Sequence, residues 1–105
     1  MEKPNIDYIK ELAGGDKDFE KKLIAIMIDE FPTEKEKYYN SLELEDDKFI
    51  IEIVHKLKHK ISILGLKKSY EIAVEYENNL RAGNSDLEKE FKETLSVMTQ
   101  FLASL

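Results

Sequence analysis

Two histidines, His55 and His59, stand four residues apart in the segment Val54-His55-Lys56-Leu57-Lys58-His59-Lys60-Ile61-Ser62. The chain has no cysteine, so it offers no thiol nucleophile, thiolate ligand or disulfide. An exposed imidazole, with an ordinary pKa of about 6.5, is substantially neutral at physiological pH and can attack phosphorus. Lysines beside it favour the neutral ring and balance the charge of an added phosphoryl group. Metal binding is the other chemistry these residues suggest. Glu52 with His55, and His55 with His59, have ligand spacings. A di-metal bundle core, however, needs two such pairs pointing inward. Two outward-facing histidines predict no metal site beyond weak adventitious zinc. No glycine-rich phosphate loop is present to hold a nucleotide. The chemistry expected is that of a phosphoryl carrier, not of an enzyme with kinase activity of its own.

The elements that must position these residues are helical. Asn5 to Ala13 reads as a short first helix, with Asn5 as N-cap and Ile6, Ile9 and Leu12 on one face. Gly14-Gly15 ends it, and Asp16 caps a long second helix to about Leu42. There Phe19, Leu23, Ile26 and Met27 form one stripe and Ile24, Ile28 and Phe31 another, predicting burial on a broad face. Pro32 predicts a kink or local break, after which Tyr38 and Leu42 continue the stripe.

The third helix starts at Asp46 or Asp47 and runs to Gly65. Its β-branched start suggests a strand, but Ile50, Val54, Leu57, Ile61 and Leu64 fall on one helical stripe. A fourth helix from Leu66 to Ala82 turns Tyr70, Ala73, Val74 and Leu80 inward. Ser85 and Glu88 have capping-box spacing for a last helix carrying Leu87, Phe91, Leu95, Met98 and Leu102 on one face. Tyr38, Tyr39 and Tyr76 read as packing or rim aromatics. Long amphipathic helices joined by short turns predict an all-α, antiparallel up-down four-helix bundle, with the short N-terminal helix covering one end. Residues 1–105 form a single domain in this reading.

At about 100° per residue, His55 points roughly 150° from the centre of its helix's core stripe, toward water. Lys58, His59 and Ser62 share its face, and Ile51 lies one turn earlier near the same strip. On helix position alone the strip is also consistent with an ordinary solvated face.

Composition removes other classes. The net charge of −6 argues against general nucleic-acid binding, which needs a basic surface. No apolar run approaches the roughly 20 residues of a membrane span. The start, Met1-Glu2-Lys3-Pro4, lacks a secretory apolar stretch. With cysteine absent, a cytoplasmic location is expected. Amphipathic rather than wholly apolar helices suggest a monomer, and Met1 with no linker composition suggests a free-standing protein.

The stretch His55 to Gly65 resembles the signature of histidine phosphotransfer (HPt) domains: His-x-Leu-Lys-Gly, about five residues, then Gly. His55, Leu57, Lys58, Leu64 and Gly65 carry the match. Leu12-Ala13-Gly14-Gly15-Asp16 with Phe19 is similar to the family's entry into its first long helix. Tyr70 to Gly83, with Glu77 and Arg81-Ala82-Gly83, is similar to its helix after the active one. The resemblance implies a two-component phosphorelay in which His55 shuttles a phosphoryl group between aspartates of receiver domains. Such receivers belong to response regulators or hybrid kinases. Lys58 matches the lysine that helps hold the phosphoryl oxygens, and Ile51, His59 and Ser62 would line the docking strip. Magnesium belongs to the receiver, so no cofactor is implied for this chain. His59 departs from the family's usual glycine, and Lys60 stands where a small residue is common. A bulky ring there could crowd the phosphoryl group, hydrogen-bond it or restrict the receivers accepted. The alternative is a degenerate bundle that binds a signalling partner as an unphosphorylated adaptor.

Overall fold

A computed structural model describes residues 2–105, and every regular element in it is helical. The helices are α1 (Asp7–Ala13), α2 (Lys17–Glu43), α3 (Asp47–Ile63), α4 (Lys67–Arg81) and α5 (Glu88–Ala103). Helix α2 packs on α3, α3 on α4, α4 on α5, and α5 returns to α2, closing an up-down bundle with α1 laid on α2. The expected fold is the one observed.

Local chemistry sets most of the boundaries. Asp16 accepts a hydrogen bond from the Phe19 amide at the start of α2, and Asp46 accepts one from the Phe49 amide at the start of α3. At the end of α3, the Leu66 amide bonds the Ile61 carbonyl and the Gly65 amide bonds that of Ser62. Gly65 takes the φ of +75° that this two-bond C-terminal closure requires. A Cβ there would also lie 2.7 Å from the Asn5 side chain. Glycine therefore permits both the sharp α3–α4 turn and the close approach of the N-terminal segment. That segment is tied down: the Asn5 amide donates to the Leu64 carbonyl, and the Glu2 carboxylate accepts from the Lys68 and Ser69 amides. Leu66, at the N-cap of α4, has no capping side chain, so Glu2 satisfies those free donors from a distant part of the chain.

The core stripe of α3 is as expected, with Ile50, Val54, Leu57, Ile61 and Leu64 all buried. They pack with Met27, Phe31 and Tyr38 of α2, Ala73 and Tyr76 of α4, and Phe91, Leu95, Met98 and Leu102 of α5. At the centre Tyr38 and Tyr76, both fully buried, share a hydroxyl hydrogen bond of 2.7 Å. Burial raises both phenols above their ordinary range, Tyr76 to about 12.

Four local expectations are corrected. Helix α2 runs without a break through Pro32, although the proline lacks an amide to donate. Phe19, Ile26 and Ile28 are exposed rather than buried. At 27 residues α2 is about 40 Å long, and its shorter neighbours cannot cover both of its apolar stripes along that length. In α1, Leu12 is exposed and Ala13 is buried instead, while Asn5 caps only the Asp7 amide from a turn before the helix. The capping box does not form. Leu87 occupies the N-cap of α5 in left-handed conformation, φ +78°, without a side-chain cap. Its side chain packs against the core, which fixes the helix start at Glu88 and leaves Ser85 too far upstream to cap it.

Tyr38→Phe and Tyr76→Phe should each cost about 1–3 kcal/mol, because each leaves one buried hydroxyl unpaired. The double variant should cost less than the sum of the two. Urea denaturation of the four proteins measures this cycle directly.

Candidate functional site

His55 lies midway along α3 with its side chain half exposed. The α3–α4 turn folds α4 back alongside it, bringing Glu77 to the His55 ring. The His55 Nδ1 is 3.2 Å from Glu77 Oε1, and the Lys58 ammonium is 3.2 Å from the same oxygen. Arg81, one turn further along α4, donates to Glu77 Oε2 at 2.8 Å. Burial alone would raise the Glu77 carboxyl. Hydrogen bonds from Arg81, Lys58 and His55 outweigh it and hold the carboxyl below its ordinary range. Glu77 is thus an anion in the bundle wall, compensated from three sides.

An ionised carboxylate can only accept hydrogen bonds, so the His55 nitrogen facing it carries a proton. In the neutral ring the lone pair is then on the other nitrogen, Nε2. Its neighbour is His59, whose Nε2 is 3.3 Å away, with the two rings edge to face. In that tautomer of His55, the contact forms by donation from His59 Nε2–H to His55 Nε2.

The remaining predicted residues frame this pair. Ser62 and His59 line a cleft shared with Asn5, Tyr8 and Glu11. Ile51 and His55 line a second cleft with Glu52, Lys56 and Arg81. His59 thus borders the first cleft and His55 the second. Lys58 is not free in solvent. Its ammonium is largely covered and engaged by Glu77.

Lys60 turns the opposite way. It is buried, and its ammonium meets Glu30 and Glu34 of α2, each at 3.0 Å. Burial would lower its pKa, but the two carboxylates outweigh that and raise it. The lysine that follows His59 therefore fastens α3 to α2 and does not crowd the site.

Three parts of the site had no assigned role in the sequence reading: Glu77 as the orienting group, Arg81 as its partner, and Tyr8 at the cleft edge. Glu77 had a legible signal. It lies on the inward stripe of α4 between Ala73 and Leu80, where a charged residue needs a partner. Arg81 follows it at i+4.

A family model for the Hpt domain matches residues 22–104. The chain belongs to the Hpt domain family. The match spans α3 and α4 and so includes His55, Lys58, Glu77 and Arg81. A segment of 63 residues, 58% of this chain, is 38% identical to a Fanconi-associated nuclease 1 homolog of Caenorhabditis briggsae. This chain spans only 7% of that much longer protein. No solved structure matches it. Among the described residues no helix is long and apolar enough to cross a membrane.

Because the Glu77 carboxyl is held low in the folded state, its contribution to stability is fully present above its ordinary value of 4.5. It is lost as pH falls below 4.5 through the lower folded value. Glu77→Gln should remove that part of the acid dependence. Melting temperatures of the wild type and variant should therefore converge on acidification, as thermal unfolding between neutral pH and about pH 3 would show.

Proposed function

We propose that this Hpt domain is a phosphoryl carrier that takes the group from one receiver aspartate and returns it to another, with His55 Nε2 as the acceptor atom. The observation that carries the reading is the buried, ionised Glu77 bonded to His55 Nδ1. In the forward step the Nε2 lone pair attacks phosphorus, the nitrogen–phosphorus bond forms, and the phosphorus–oxygen bond to the aspartate breaks. The aspartate leaves as a carboxylate. The ring becomes a cation, and Glu77 stabilises it through the proton that stays on Nδ1. The reverse step moves the group to a second carboxylate by the same atoms.

Lys58 and Arg81 serve two purposes in this scheme. They keep Glu77 ionised before transfer, and their charges offset the phosphoryl oxygens afterwards. Receivers would dock over His55, with Ile51 on one flank and His59 and Ser62 on the other. A transient complex of modest area is sufficient. Receivers reside in the cytoplasm, where a monomeric carrier could exchange between them.

One observation favours a second reading. His59 Nε2 sits against the acceptor nitrogen, so the domain could dock receivers while its lone pair stays occupied, acting as an adaptor. The nematode relative's nuclease name gives no comparable support, since the shared segment is a small fraction of that protein.

Label transferred from a panel of phosphorylated receivers decides between the readings. Acid-labile, alkali-stable phosphate is expected on the wild type and absent from His55→Ala. His59→Gly should change the rates with some receivers, because it removes the ring beside the acceptor. No label from any receiver that still binds would favour the adaptor, and label lost only in His59→Ala would move the acceptor by one turn.

A further inference from the structure

We infer that His55 and His59 together form a two-histidine site for a divalent transition-metal ion, and that an ion held there blocks the phosphoryl acceptor nitrogen. The metal site stands on its own geometry; only the block rests on the carrier reading.

The two Nε2 atoms are 3.3 Å apart. In a tetrahedral zinc site with nitrogen ligands at about 2.0–2.1 Å, two such nitrogens lie about 3.3 Å from each other. The ring positions in the structure are therefore close to those of a bidentate chelate. For the ion to enter, the proton between the rings must leave and the two perpendicular rings must turn their Nε2 atoms toward a common point; proton release is usual when imidazole becomes a ligand.

The other side of the site is already built. A ligating histidine normally donates its second nitrogen's proton to a carboxylate or carbonyl, which fixes the ring and strengthens it as a ligand. His55 has this partner in Glu77, at 3.2 Å from Nδ1. Lys58 and Arg81 both pair with that carboxylate, so each opposes a bound ion less than a free cation would. His55 and His59 are both exposed, so an ion can reach them from solvent.

Among the described residues no group of three or more histidines, cysteines or carboxylates is placed to hold a metal. The site is therefore open, with two protein ligands and the remaining positions left to water. It differs from a buried di-metal core, and binding should be reversible. Copper(II) should bind more tightly than zinc. Coordination uses the same Nε2 lone pair that attacks phosphorus, so a metal ion and a phosphoryl group cannot occupy His55 together. Without His59 the site would keep one ligand, so His59 would make this chain sensitive to metal.

Calorimetric titration with zinc chloride tests the site, using wild type, His55→Ala, His59→Ala and Glu77→Gln. Both histidines are at the surface, and circular dichroism checks that the variants remain folded. One zinc per wild-type chain is expected, with affinity at least about tenfold lower in each histidine variant and about tenfold lower in Glu77→Gln. Wild-type affinity in both histidine variants would overturn the site. Phosphoramidate, a receiver-free phosphoryl donor, tests the block. Zinc at saturation should slow wild-type labelling, a chelator should restore it, and His59→Ala labelling should not respond to the same zinc concentration. Labelling of zinc-saturated wild type at the metal-free rate would overturn the block. If no label is taken up even without metal, from phosphoramidate or receivers, the carrier reading and the block fall together. The titration still decides the metal site.

Discussion

The carboxylate of Glu77 faces His55, Lys58 and Arg81 from the wall of the bundle, and the chemistry of the site depends on that contact. A buried anion costs more than its partners return unless the geometry is good and its oxygens are satisfied. Here Oε1 serves two donors and Oε2 a third. The contact works only if α3 and α4 keep their register. Gly65 sets the turn between them, and Asn5 and Glu2 tie the N-terminal segment to the same junction. The burial of Val54, Leu57, Ala73 and Tyr76 then brings the exposed histidine to the buried carboxylate. The helical bundle thereby gains one oriented imidazole.

The fold and the exposed face of α3 were legible because they follow from helical period and capping. Ile50 to Leu64 made an apolar stripe, and His55, His59 and Ser62 were left outside it. Glu77 was visible as a charged residue on an inward stripe, but its partner was not. Pairing of residues 22 positions apart depends on the α3–α4 register, which one helix's pattern does not contain. The miscast elements share a cause. Leu87 breaks the capping-box expectation because its side chain packs on the core, and Phe19, Ile26 and Ile28 are exposed because α2 outruns its neighbours. Tertiary packing overrode local signals in both places.

His59 and Lys60, adjacent in sequence, face in different directions. Lys60 is absorbed by the fold, pairing with Glu30 and Glu34 across the α2–α3 interface. His59 stays outside and meets the acceptor nitrogen. Lys60 therefore concerns how α3 is fastened, and His59 concerns what approaches His55. Receivers, phosphoryl oxygens and metal ions would all meet His59 before or together with His55.

The most direct test of the account is the state of the His55 ring, read by long-range nitrogen–proton NMR of imidazole-labelled protein before and after phosphorylation. His55 is expected to carry a proton on Nδ1, with phosphorus coupling at Nε2 once the group is transferred. A His55 protonated on Nε2 in the free domain, or phosphorus coupled to Nδ1 or to His59, would contradict it.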